Sequence, residues 1–138
     1  MTDTEAAVRD TIQTPGVHVV HIWAPWCDNS LHELAPVWSE ARQRHPDVSV
    51  TFVSIWSDGD DGDDVLRQHG VDDVEVRVLP GPKPEKPDRR LTFLGLPVSW
   101  IPTTWVFNRE GMLATAFNYG EITAEHLAQA IEGAQSGW

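Results

Sequence analysis

Cys27 is the only cysteine in the chain and lies in the run VVHIWAPWCDNSLHELAP, residues 19–36. A thiol does nucleophilic chemistry as its thiolate, and two features of this run favour that form. Apolar, β-branched and aromatic residues precede it (Val17, Val19, Val20, Ile22, Trp23), and Leu31, Leu34, Val37, Trp38 and Ala41 follow at helical spacing, so a strand should end where a helix begins. Cys27 would then meet the unpaired N–H groups and dipole of a helix N-terminus. Ser30, one turn on, could donate a hydrogen bond to the thiolate. With no second cysteine, an intramolecular disulfide and any all-cysteine metal site are excluded.

The histidines offer a second set of candidates. His18 and His21 sit three apart on the expected strand, hence on opposite faces, and cannot share a metal. His21 is read as a core histidine satisfied by a backbone carbonyl, or as a buried modulator of Cys27. His32, five residues past the cysteine, reads as a surface residue, with modulation of the thiolate as the alternative. Asp58, Asp60, Asp61, Asp63 and Asp64 crowd a short loop, but His69 stands where an EF-hand needs glutamate, so a solvated loop ahead of a helix is favoured over a cation site. No metal or cofactor is expected.

Around these residues the pattern is strand and helix in alternation. A helix is expected over 4–13, ended by Pro15 and Gly16. After the central strand and helix, His45-Pro46-Asp47 forces a turn, and VSVTFVSIW (48–56) reads as a second buried strand, parallel to the first. Val74, Val76 and Val78 suggest a short half-exposed strand. The run LPGPKPEKPDRR (79–90), with four prolines, cannot be the interior of a regular element; the stretch from about 71 to 96 is expected to be a proline-rich insertion. Its Lys83, Lys86, Arg89 and Arg90 suit either a solvated excursion or a site for anionic groups or a partner. Thr103–Phe107 and 112–119 should form an antiparallel pair across Asn108-Arg109-Glu110-Gly111, and Thr123 should cap a final helix.

The chain has 138 residues, 41% of them hydrophobic, which suits one domain with a real core. A formal charge of -11 argues against nucleic acid and anionic membranes as partners. Lysine is confined to Lys83 and Lys86, as in a salt-adapted or simply a solvated acidic surface. The first residues lack a basic start and an apolar run, and no segment approaches a membrane span. The expected compartment is the cytoplasm and the default state a monomer.

The run WAPWCDNS resembles the active-site motif of the thioredoxin-like superfamily, in which Trp-Cys-x-x-Cys opens the helix after the central strand; here Ser30 replaces the second cysteine. Trp100-Ile101-Pro102-Thr103 resembles the same family's cis-proline segment. The resemblance implies an α/β, thioredoxin-like three-layer α/β/α sandwich with a mixed central sheet over 1–138. It implies Cys27 as nucleophile with Ser30 beside it, and Trp26, Trp100, Ile101 and Pro102 as substrate-binding residues. His21 stands where the family buries an acidic residue, and Pro36 falls one residue later than the family's helix proline. Lacking a resolving thiol, such a site would work as a monothiol thiol-disulfide oxidoreductase on protein thiols or disulfides or on glutathione. Ala24, where a peroxidase pattern needs threonine, rejects that chemistry. The alternative is a non-redox binding module using the Trp26, Trp100 and Pro102 surface.

Overall fold

The computed structural model describes residues 1–118 and 120–137. Its centre is β1 (His18–Trp23), with all six residues buried, as befits a strand covered on both faces. On one side β1 pairs in parallel with β2 (Ser49–Ser54), Val19 opposite Val50 and His21 opposite Phe52. β2 in turn pairs in parallel with β3 (Glu75–Val78). On the other side β1 runs antiparallel to β6 (Thr103–Phe107), and β6 antiparallel to β7 (Leu113–Phe117). The order β3-β2-β1-β6-β7 is therefore mixed. In the β6–β7 connection the Asn108 side chain accepts from the N–H groups of Glu110 and Met112 at 3.0 and 3.1 Å, and Gly111 takes φ +77°. Tyr119, expected at the end of the second strand, lies outside the described residues.

Alternation along the strands sends side chains to two cores. On one face Val19, Trp23, Phe52 and Val106 meet Leu34, Val37 and Trp38 together with Leu127 and Ile131 of α5 (Ala124–Gln135). Thr123 caps α5, accepting from the His126 N–H at 3.1 Å. On the other face Val20, Ile22, Val53 and Trp105 meet Val8 and Ile12 of α1 (Asp3–Ile12). Helices cover both faces, giving the expected three-layer α/β/α sandwich of the thioredoxin fold. Among the described residues no helix is long and apolar enough to cross a membrane.

Two elements differ from the sequence reading. The segment expected to stay irregular up to residue 96 instead folds its end into a hairpin, β4 (Leu91–Phe93) and β5 (Leu96–Val98). Phe93 and Val98 are buried beside α1 on the second face, while Thr92 and Pro97 point outward. Three-residue strands give too short an alternation to stand out in the sequence, and Pro97 masks it further. Leu94 and Gly95, at φ +55° and +78°, make the two-residue turn.

The helix after Cys27 is also not uniform. It begins as α2 (Asp28–His32), widens into a π-helical turn over Leu34–Ser39, and ends as α3 (Glu40–Arg44). The Glu33 carbonyl accepts from both Val37 N–H at 2.9 Å and Trp38 N–H at 3.3 Å. A π-turn accommodates one extra residue in a helix, and Pro36 lies within it. Leu34, Val37 and Trp38 thereby stay in the core.

The acidic loop winds into α4 (Asp63–Gln68). Asp60 and Asp61 turn back on it, accepting from the N–H groups of Gly62 at 2.9 Å and Asp63 at 3.0 Å. Gly62, at φ +73°, packs so closely on the Trp23 ring and Pro25 that a Cβ there would collide with both.

Candidate functional site

Cys27 and Ile101 meet although 74 residues separate them. β1 and β6 are antiparallel neighbours with Ile22 opposite Thr103, so the exit of one strand lies beside the entry of the other. Past Trp23 the chain turns tightly, the Cys27 N–H donating to the Ala24 carbonyl at 3.0 Å. Cys27 then takes the N-cap position of α2. Its thiol is free and partly exposed, and its Sγ faces the Ile101 carbonyl at 3.9 Å. The Ile101–Pro102 peptide is cis.

Cys27 opens into a groove of about 520 Å³. Trp26, Trp56, Trp100 and Ile101 supply its apolar walls, and Lys86 and Arg89 close it from the proline-rich segment. Trp26 is held by its indole N–H, which donates to the Trp56 carbonyl at 2.8 Å. Trp100 is 60% exposed. Over the Trp26 ring lie the Lys83 ammonium at 4.0 Å and the Arg89 guanidinium at 5.1 Å from the centroid. The irregular run 79–90 is therefore placed against the cysteine.

Of the residues singled out from the sequence, the structure brings Cys27, Trp26, Trp100, Ile101, Lys86 and Arg89 together on this groove. Pro102 is buried and stands outside the lining. Ser30 is fully buried, and its hydroxyl accepts from the Ala24 N–H at 3.4 Å, tying the helix to the strand end. His18 turns away to the Thr14 carbonyl at 2.9 Å, and His32 lies near Glu121 at 3.3 Å. Among the described residues no group of three or more His, Cys, Asp or Glu is placed to hold a metal ion.

His21 corrects the expectation of a backbone carbonyl partner. Fully buried, it places Nδ1 at 2.8 Å from the Thr104 hydroxyl, its neighbour across the antiparallel pair. Nε2 lies 3.1 Å from Glu33 Oε1, close enough to pair but not aligned as a hydrogen bond. In the tautomer that suits both contacts, the Thr104 O–H donates to Nδ1 and Nε2–H faces the carboxylate. Backbone carbonyls along β1 are already engaged in the sheet ladders, which is why the ring turns to side chains. Glu33, 2% exposed, also accepts from the Trp38 indole at 3.1 Å and the Ile122 N–H at 3.0 Å.

Glu33 was not among the sequence candidates. A signal existed: it stands four residues before Val37, on the edge of the buried stripe, where a carboxylate needs partners. Lys83 and Arg89 stood out in the sequence as cations of the proline-rich segment, but their contact with Trp26 carried no signal, because it is set by the path of an irregular segment.

No protein-family model matches the sequence, and no curated protein matches it. Solved structures do. The chain is similar to a DsbF homologue from Corynebacterium diphtheriae, at 20% identity and TM-score 0.65 over 89% of this chain and 74% of that one. It is similar to a secreted Mycobacterium tuberculosis disulfide oxidoreductase described as homologous to E. coli DsbE, at 15% identity and TM-score 0.62 over 89% and 85%. A thiol:disulfide interchange protein of the thioredoxin family from Chlorobium tepidum matches at 12% identity and TM-score 0.64 over 91% and 83%. Similarity at these identities establishes one thing, that this chain has the thioredoxin fold.

Proposed function

We propose that the protein is a thiol-disulfide oxidoreductase of monothiol type, with Cys27 as nucleophile. The observation that carries this is the placement of a partly exposed thiol at the start of a helical run, in a groove whose opposite lip is the Ile101 backbone. The Cys27 thiolate attacks one sulfur of a disulfide in a protein or in oxidised glutathione. That S–S bond breaks, the other sulfur leaves as thiolate with the electron pair, and a mixed disulfide with Cys27 forms. Because the chain has no second cysteine, release needs a thiolate from outside, which attacks the mixed disulfide and frees Cys27. A reducing compartment such as the cytoplasm supplies that thiol. Ser30 Oγ accepts from the Ala24 N–H, so its part is to fix the start of the helix on the strand end. The neighbours described as disulfide oxidoreductase and interchange protein support the reading.

Reduced protein mixed with oxidised glutathione, or with a disulfide-bearing peptide, should gain one adduct by mass spectrometry. Dithiothreitol should reverse it, and Cys27→Ser should not form it. Absence of any adduct on the folded protein would sink the proposal. A second reading, a binding module without redox duty, is favoured by the large exposed face of Trp100; it requires partner binding to survive Cys27→Ser and to weaken in Trp26→Ala.

A further inference from the structure

We infer that the proline-rich segment makes the Cys27 groove selective for acidic protein segments, whose carboxylates, flanking the reacting cysteine, are received by Lys86 and Arg89. This inference rests on the reading of Cys27 as the reacting thiol and names the substrate class it acts on. Both lysines of the chain, Lys83 and Lys86, lie in this one segment. In a protein of formal charge -11, Arg42, Arg44, Arg67 and Arg77 pair with carboxylates, whereas Arg9, Arg90 and Arg109 form no ion pair among the described residues. Among the described residues Lys83, Lys86 and Arg89 form no ion pair, although Glu85 and Asp88 are their chain neighbours.

What holds Lys83 and Arg89 is the Trp26 indole, 4.0 Å below the Lys83 ammonium and 5.1 Å from the Arg89 guanidinium. Arg89 is further fixed by its Nε–H, which donates to the Pro84 carbonyl at 3.1 Å. A ring quadrupole and a carbonyl orient cations without neutralising them, so the positive charge stays available to a ligand. Lys86 and Arg89 line the same groove as Cys27, whereas Lys83 lines the cleft on the far side of Trp26 together with Asp58 and Asp60. The groove beside the thiol is thus the one with unopposed cations. Its volume of about 520 Å³ exceeds that of one side chain and fits an extended stretch of a few residues. At a Debye length of about 10 Å in moderate salt, the acidic remainder of the surface is screened and the local cations decide.

The test uses two blocked peptides, identical except that glutamates flank the cysteine in one and glutamines in the other. Each cysteine is activated as a 2-pyridyl disulfide. The Cys27 thiolate attacks the peptide sulfur, the bond to the pyridyl sulfur breaks, thiopyridone leaves with the electron pair and reports the rate by absorbance. At about 0.1 M salt, where the Debye length is about 10 Å, the glutamate peptide should react about fivefold faster, the scale expected of two exposed ion pairs. High salt should shrink the advantage, Lys86→Ala/Arg89→Ala should remove it, and Lys86→Arg/Arg89→Lys should keep it; circular dichroism checks that the variants are folded. Equal rates for the two peptides, or a preference that survives the alanine variant, would overturn the inference while leaving Cys27 chemistry standing. Should neither peptide react, the redox reading fails, and binding of the matching serine peptides, followed by tryptophan fluorescence, decides the selectivity: tighter binding of the glutamate peptide supports it and equal binding overturns it.

Discussion

Glu33 gathers contacts from three elements, His21 on β1, Trp38 in the π-turn and the Ile122 N–H ahead of α5. Removing its carboxylate strands those groups in a site closed to water, and buried polar groups left without partners are among the costlier defects a core can carry. Glu33→Ala should lower stability by about 3 kcal/mol in urea unfolding. Glu33→Gln, which keeps an acceptor, should cost clearly less. Equal losses for the two would mean that volume, not hydrogen bonding, is what Glu33 contributes. His21 lies within 4.4 Å of Trp38 and 4.7 Å of Phe52 between ring centroids, so the pair is also walled by aromatic rings and cannot relax toward solvent.

At the scale of elements, the π-turn and the proline-rich segment shape the site from opposite sides. The π-turn carries Leu34, Val37 and Trp38 into the core. The segment 79–90 has little regular structure beyond a 3-10 turn at Lys86–Asp88. Beside the backbone bond from the Asp58 N–H to the Gly81 carbonyl at 2.8 Å, two cations on Trp26 attach it near the cysteine. With each cation–π contact worth roughly 0.5–1 kcal/mol at an exposed site, Trp26→Ala should raise the open population of the segment about tenfold. Trypsin cleavage after Arg89 and Arg90 should accelerate accordingly, and an unchanged rate would show that the segment is held elsewhere.

For the whole molecule, a polar contact adds to the shared core between the first helix and the hairpin on its face of the sheet. Glu5 accepts from the Leu94 N–H at 2.8 Å, and this bond, aided by Thr2 and opposed by partial burial, holds the Glu5 carboxyl below the usual carboxylate range. A depressed folded-state value stabilises the fold above the unfolded carboxylate value of about 4.3 and is lost as pH falls through the lower folded one. Glu5→Ala should therefore cost about 1 kcal/mol at neutral pH. The difference from the natural protein should close as the medium is acidified below the carboxylate range. Thermal melts across that window check it; a difference constant with pH would show that the carboxylate's charge is not what stabilises the fold.

The sequence by itself determined the sheet's interior and the location of the thiol. Apolar-rich runs at 17–23 and 48–56, a cap-and-stripe pattern at Thr123 and the Asn108–Gly111 connection are local signals, each read from neighbouring residues. The tertiary structure decided which residues surround the thiol and the buried histidine. The β1–β6 pairing brings Ile101 to Cys27, and the sheet and π-turn give His21 the partners Thr104 and Glu33. Lys86 and Arg89 reach the groove through a segment whose prolines forbid regular structure. Contacts made across long loop closures leave no periodicity in the chain, because only the folded path brings their members together.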